Sequence, residues 1–502
     1  MKCWFVCLIG LWGIPALAQQ RPNVLLIVSD DLSNALGCYG DPRIKTPNLD
    51  RLAQRGVLFE RAYCSYPLCG PSRNSMLTGL YPNSTGIIQN QQIFRQSIPD
   101  HICLPQAFRQ AGYFVARIGK LYHYNVPNSV GTDGHDDPAS WELELNPAGV
   151  DRLVEQPQIF SLRPGQFGGT LSWLASQHPD SQHTDAMLAE GASWVLERCQ
   201  QHRERPFLIA VGFFRPHTPY VAPRDPYFDY YPPADLPVVE GVAEDQADIP
   251  PAALASRLRE QDEMPDDLRR QARQAYYASI TFMDAQLGKL LDTLDRTGLA
   301  DSTVIVFTSD HGYHLGEHGL WQKLSLFEQS ARVPLLIVAP GVSQQGTRVE
   351  VPVSHVDIYP TLSELSGVTA PSSLQGQSLV GLLKDPQAPS RGWALSQVQR
   401  GAKVRQPRAE GEAASAEPFF GYSLRTPRWR YTEWDEGREG RELYDHDSDP
   451  NELRNLAADP NHAATIEQLR QQLAAAVAQT LPADGQMPSV KPGPWHPVLV
   501  QP

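Results

Sequence analysis

Cations are in the minority in this 502-residue sequence: 43 Lys and Arg stand against 56 Asp and Glu, a formal charge of −13. Binding a nucleic-acid backbone needs a basic footprint, so this balance argues against nucleic acid as the main partner. It leaves an anionic substrate open, because a few cations focused in a cleft outweigh a distant acidic surface. Beyond the first twenty residues no run is apolar for long enough to span a bilayer. Those first residues carry one early cation (Lys2), a short apolar run and the small-residue site Ala16-Leu17-Ala18. That layout predicts a signal peptide over residues 1–18 and an exported protein, periplasmic or secreted. Cysteines are few: with Cys3 and Cys7 inside the signal, Cys38, Cys64, Cys69, Cys103 and Cys199 are left. No spacing among them reads as a zinc site. An odd number in an oxidising compartment leaves at least one thiol without an intrachain partner. Internal repeats are absent too.

The composition, 41% hydrophobic and 20% charged, is that of a globular protein with a large core. Apolar runs alternate with helix-period segments, which predicts an α/β fold with a mostly parallel sheet. Buried strands are expected at 23–28, 303–307 and 334–338, a helix opening at Thr46-Pro47, and a long amphipathic helix over 271–296. Segments 125–180 and 219–268 show little periodicity and read as surface loops or lids. The expected organisation is a catalytic domain over 19–400, a flexible linker or loop over 401–418 and a C-terminal subdomain over 419–480. That subdomain would hold a small antiparallel sheet and a helix, and a Pro-rich tail would follow over 481–502.

Asp30-Asp31 directly follows one buried strand and Asp310-His311 another. Open α/β sheets bind ligands at the carboxyl ends of strands. If the two strands are neighbours, three carboxylates and an imidazole converge and need a cation, for which hard oxygens favour Ca²⁺ or Mg²⁺. The other reading of Asp30-Asp31 is a turn cap beside a solvated acid. In Cys69-Gly70-Pro71-Ser72-Arg73-Asn74-Ser75-Met76-Leu77-Thr78-Gly79, Pro71 suits a helix first turn and Gly79 a helix stop. Cys69 would then sit at a helix N-terminus, where backbone N–H groups favour an anionic nucleophile. A buried thiol, a disulfide with Cys64 and a plain thiolate nucleophile remain equally open from position alone.

The pattern Cys-x-Pro-Ser-Arg-x-x-x-Leu-Thr-Gly resembles that of the type I sulfatases of the alkaline phosphatase superfamily, with seven specified positions in eleven. The resemblance covers most of the chain after residue 18. Within the family it is greatest to the iduronate-2-sulfatase group, through stretches 24–41, 63–79, 112–123, 213–220, 307–323 and 421–434. It implies a central mixed sheet flanked by helices, and oxidation of Cys69 to formylglycine by a maturation enzyme. It also implies one Ca²⁺ (Mg²⁺ in second place) held by Asp30, Asp31, Asp310 and His311 beside residue 69. Arg73 would hold the formylglycine hydrate, and Lys120 and Lys323 the sulfate. His123 would lie beside the hydrate and His217 near the leaving oxygen; the bland alternatives are a surface helix cation for Arg73, solvated loop residues for Lys120 and His123, and an ordinary turn histidine for His217. Asp137, Tyr313 and His314 fall where sugar contacts are expected. The resemblance thus implies hydrolysis of sulfate esters on a sulfated saccharide, with 2-O-sulfated uronate as first choice. A phosphatase or phosphonate monoester hydrolase of the same superfamily is the rival enzyme. A silent sulfated-glycan binder is the rival of another class.

Overall fold

The computed structural model describes residues 21–401 and 417–492. The expected signal peptide and almost all of the 401–418 segment lie outside the described residues. The described part is built on a nine-stranded mixed sheet. Its centre is Asn23–Asp30, flanked in parallel by Thr303–Ser309 on one side and Phe207–Pro216 on the other. Phe114–Gly119 and Leu143–Leu145 extend the parallel array beyond Phe207–Pro216. On the far side Arg332–Val338 runs antiparallel to both Thr303–Ser309 and Val57–Tyr63. The sheet is therefore mostly parallel, as expected.

Central strands buried on both faces read as unbroken apolar runs. Successive side chains of Asn23–Asp30 enter opposite cores. Leu25 and Ile27 face a core with Leu188 of the helix Thr184–Gln201 and Leu287, Leu291 and Leu294 of the helix Asp266–Thr297. Val24, Leu26 and Val28 face Met76 and Leu77 of the helix Cys69–Thr78, with Leu362 of Ile358–Ser366. The long helix expected over 271–296 thus runs from Asp266 to Thr297.

The C-terminal subdomain departs from its expected boundary. Its four-stranded antiparallel sheet opens with Ala394–Arg400, which pairs with Phe419–Arg425. Ala394–Arg400, before the 401–418 segment, and Phe419–Arg425, after it, are therefore neighbouring strands of one sheet. Trp429–Trp434 and Arg441–Asp445 complete the sheet. One face packs Leu424, Tyr431 and Leu443 against Leu469 and Leu473 of the helix Ala463–Thr480. The other packs Val398, Trp434 and Tyr444 against Leu320, Leu326 and Phe327 of the catalytic domain. The segments expected as loops at 125–180 and 219–268 contribute a small sheet of Phe160–Ser161, Ser172–Ser176 and Tyr220–Pro223. Among the described residues no helix is long and apolar enough to cross a membrane.

Gly212, in the strand Phe207–Pro216, lets the backbone of Lys120 come close: the Lys120 N–H donates to the Gly212 carbonyl at 2.9 Å. A Cβ at Gly212 would lie 1.8 Å from the Lys120 carbonyl oxygen. Gly212→Ala should therefore force the two strands apart and destabilise the fold by about 2–3 kcal/mol. A lowered thermal midpoint would show this, and an unchanged one would contradict the packing described.

Candidate active site

Adjacent parallel strands bring their carboxyl ends to one edge of the sheet. Asn23–Asp30 leads into Asp31, Thr303–Ser309 into Asp310 and His311, and Phe207–Pro216 into His217. A register shift after Ser29 sets Asp30 opposite Pro216. Asp31 then takes a φ of 64°, a left-handed conformation that is uncommon for a residue with a side chain. The next strand, Phe114–Gly119, delivers Lys120 and His123. Cys69 begins the fully buried helix Cys69–Thr78, which ends at Gly79 with φ 69° and its N–H on the Ser75 carbonyl.

Arg73, one turn along that helix and fully buried, ties these ends together. Its Nε donates to Asp310 Oδ2 at 2.8 Å, its Nη2 to Asp30 Oδ1 at 3.1 Å and its Nη1 to the Lys120 carbonyl at 2.6 Å. Lys120 Nζ donates to Asp30 Oδ2 at 2.5 Å. Lys323 Nζ donates to Asp31 Oδ1 at 2.5 Å and lies 3.2 Å from Cys69 Sγ. His311 Nε2 lies 3.4 Å from the same sulfur and 3.2 Å from Asp31 Oδ1. His217 faces Asp31 Oδ2 through Nε2 at 3.8 Å, while its Nδ1 lies 2.5 Å from the Thr218 carbonyl. Three carboxylates thus face three fixed cations.

Burial acts on every group here, and the neighbours decide the outcome. Burial pushes the Asp30 carboxyl up, but Lys120, His217 and Arg73 together hold it well below the ordinary range. Asp310 is likewise pushed up by burial and brought below its usual value by Arg73 and His311. At Asp31 burial prevails over His217 and Lys323, and the pKa is raised. Burial opposes ionisation of Cys69 as well, yet Lys120 and Lys323 draw its thiol far below the ordinary value. Burial lowers His123 to about 4, against a hydrogen bond to Cys69, so its imidazole is neutral around pH 7.

The donor atoms of Asp31, Cys69, Asp310 and His311 lie within 4.8 Å of one another. Opposed oxygen ligands on calcium stand about 4.6–5.2 Å apart, so the cluster has the span of such a site. Asp31 Oδ2 is buried without a hydrogen-bond partner, an acceptor that a cation would satisfy. The residues present therefore fit a hard divalent cation. Asp30 groups instead with Cys69 and His217, and joins the others through Arg73.

The structure brings together Asp30, Asp31, Cys69, Arg73, Lys120, His123, His217, Asp310, His311 and Lys323. The three expected sugar contacts are buried on protein partners, as most of this cluster is. Asp137 is fully buried and accepts from Arg95 at 3.0 Å and Ser140 at 2.7 Å, because an acid at that depth needs a cation. Tyr313 stacks on Tyr276 at 5.0 Å and meets the Tyr220 hydroxyl at 2.5 Å. His314 is fully buried, with Nε2 2.6 Å from Ser325 Oγ, and burial drives its pKa well down. The disulfide alternative for Cys69 also falls away, since all five cysteines among the described residues are free.

Supporting residues emerge that local pattern did not mark. Tyr276, on the long helix, donates its hydroxyl to the Asp31 carbonyl at 2.7 Å and accepts from the Ser33 N–H at 2.9 Å. It thereby holds the turn on which Asp31 sits. Ser72 donates to the Asp310 carbonyl and lies 3.2 Å from His355 Nδ1. Asn90 Oδ1 accepts from the Gly70 N–H at 2.8 Å and steadies the start of the Cys69 helix. In sequence Tyr276 is one aromatic in an amphipathic helix, and its role depends on what the helix crosses.

Residues 22–368 match the Sulfatase family, and residues 316–479 match the family described as N-sulphoglucosamine sulphohydrolase, C-terminal. A sulfatase of Formosa agariphila is 34% identical over 468 residues, covering 90% of this chain and 86% of that one. Human iduronate 2-sulfatase is 30% identical over 508 residues, covering 87% and 91%. Among solved structures, the phosphonate monoester hydrolase of Agrobacterium radiobacter superposes with a TM-score of 0.74 at 26% identity, covering 93% of this chain and all of that one. With the family match spanning most of the chain, and the strand-end acids, the Cys69 helix and the lysines gathered at one point within it, this protein belongs to the sulfatase family and is a sulfuric ester hydrolase.

Proposed function

We propose that the chain removes sulfate from a sulfated saccharide, with residue 69 as nucleophile after oxidation to formylglycine and with a calcium ion at the strand-end acids. The observation that carries this reading is the convergence of Lys120, Lys323, Arg73 and His311 on Cys69 and its neighbouring carboxylates. The Cys69 sulfur stands in for the oxygens of the hydrated aldehyde. Formylglycine hydrate offers two hydroxyls on one carbon, so that one can displace the alcohol from sulfur and the other can later release inorganic sulfate. A calcium ion held by Asp30, Asp31, Asp310 and His311 would offset negative charge on the sulfonate oxygens.

The protein's own groups do the rest. Lys323 stays charged, because Asp31 and Cys69 raise its pKa against the effect of burial. Together with Lys120 it supplies fixed positive charge where the sulfonate oxygens would lie. His123, neutral at working pH and held against residue 69, is placed to accept a proton from that side chain. His217 is oriented by the Thr218 carbonyl at Nδ1 and directs Nε2 towards the cluster, the position of a proton donor to the departing alcohol oxygen.

For the saccharide, 2-O-sulfated uronate is the first candidate, supported by the 30% identity to iduronate 2-sulfatase. Phosphonate monoester hydrolysis is the second reading, favoured by the likeness to the Agrobacterium enzyme. Export by a signal peptide and maturation by a formylglycine-generating enzyme belong to the same proposal.

Cys69→Ala should lose roughly 10⁴–10⁶-fold in kcat, and peptide mass spectrometry across residues 62–73 should show an aldehyde in place of the thiol. Full activity of the variant would remove Cys69 from the mechanism. His123→Ala should lower kcat about 10²–10⁴-fold, with calcium content unchanged; wild-type turnover would remove the proton acceptor assigned here. Ester hydrolysis should be fastest on 2-O-sulfated uronate disaccharides, compared with 6-O-sulfated hexosamines, sulfated galactans and aryl phosphonate monoesters. Preference for another sulfated sugar would redirect the substrate, and preference for the phosphonate would install the second reading.

A further inference from the structure

Lys323 sits on a backbone that does not hold itself in place. Its two neighbours, Gln322 and Leu324, have φ values of 69° and 74°, both left-handed and neither glycine. Such conformations persist only where the surroundings over-determine them. From the catalytic domain, Gln261 donates to Gln322 Oε1 at 2.9 Å, and the Leu324 N–H donates to the Pro67 carbonyl at 3.2 Å. Gln322 also pairs with His314 in a short antiparallel ribbon, a restraint that ends one residue before Lys323. Further restraints, on the residues after Lys323, come from the C-terminal sheet. Arg400, the last residue of Ala394–Arg400, donates from Nη2 to the Leu324 carbonyl at 2.6 Å. Arg430, in the next strand but one, donates from Nη1 to the Leu326 carbonyl at 3.0 Å.

The two arginines are held differently. Arg430 lies between Glu328 and Glu452, in a buried network that balances its charge. Among the described residues, the hydrogen bonds of Arg400 go to backbone carbonyls: Ala252 at 2.9 Å, Gln399 at 3.3 Å and Leu324 at 2.6 Å. Its guanidinium is 5.1 Å from the centre of the Trp434 ring, and burial lowers its pKa to about 10. A guanidinium buried on carbonyls is a costly way to fill space, and an apolar side chain would fill the same volume at less cost. What the guanidinium supplies is geometry: a planar fork that fixes carbonyls of several segments at once. One of those carbonyls belongs to the residue directly after Lys323.

We propose that Arg400 of the C-terminal sheet is a positioning residue for Lys323, fixing the Leu324 carbonyl so that the Lys323 ammonium stays between Asp31 and residue 69. The inference rests on the reading of Lys323 as a sulfate-binding group. It makes the C-terminal subdomain part of the catalytic apparatus, acting through one hydrogen bond to the 322–324 turn.

A double-mutant cycle on the matured full-length chain tests it. Wild type, Lys323→Ala, Arg400→Met and the double variant are compared for kcat/KM on an aryl sulfate, for inhibition by inorganic sulfate and for thermal midpoint. Arg400→Met should lower kcat/KM by about tenfold or more and weaken sulfate inhibition in the same proportion. In the Lys323→Ala background the same change should alter kcat/KM by less than about twofold, because the group it positions is gone. Arg400→Lys, which keeps a donor and a charge, should fall between wild type and Arg400→Met; it carries the cycle if Arg400→Met does not fold. Equal losses from the Arg400 change in both backgrounds would mean a general structural role and would overturn the inference while leaving Lys323 in place. Full activity of Lys323→Ala would overturn the role of Lys323 itself, and this inference with it.

Discussion

The guanidinium of Arg73 is the point on which the site is assembled. Its nitrogens reach acids at the ends of two adjacent strands and a carbonyl at the end of a third element, all from within a buried helix. An acid buried alone would be expensive to keep ionised, and Asp30 and Asp310 lie fully inside the protein. Arg73 makes their ionisation affordable and sets their spacing. It also ties the helix that begins at Cys69 to the strand ends that would hold a cation. Removing one partner of such a buried pair costs far more than the pair itself contributes, since the other charge is left without compensation.

Around that point the electrostatics are close to balanced. Asp30, Asp31 and Asp310 face Arg73, Lys120 and Lys323, with His311 alongside. A nearly neutral pocket can accept a divalent cation and an anionic ester together without a large net charge at depth. The acidic surface of the chain, at −13, then matters less than the local arrangement of fixed cations. Long-range charge decides how fast an anionic substrate arrives, whereas fixed cations at depth act on it at short range.

The two-domain arrangement follows the same economy of placement. The C-terminal sheet uses one face for its own helix and the other for Leu320, Leu326 and Phe327, the stretch around Lys323. Arg430, Glu328, Glu452 and His446 form a buried ionic seam between the two parts, and Glu328 lies only five residues beyond Lys323.

Much of this was legible in the sequence. Apolar runs at 23–28, 303–307 and 334–338 determined buried strands, and the acids directly after the first two belonged at strand ends by the geometry of parallel sheets. The Cys69–Gly79 pattern determined a helix start, a helix stop and an arginine one turn from Cys69. Those features are local, carried by periodicity and by what Pro and Gly permit. Tertiary structure alone decided the rest. The strand Ala394–Arg400 lies across the 401–418 segment from its partner, so its pairing was invisible to any local pattern. Tyr276 serves Asp31 across more than two hundred residues. The partners of Asp137, Tyr313 and His314, which are Arg95, Tyr276 and Ser325, likewise come only from the packed chain. Sequence dictates what a side chain can do, but burial and partners are properties of the assembled chain, because they depend on which distant segments close over it.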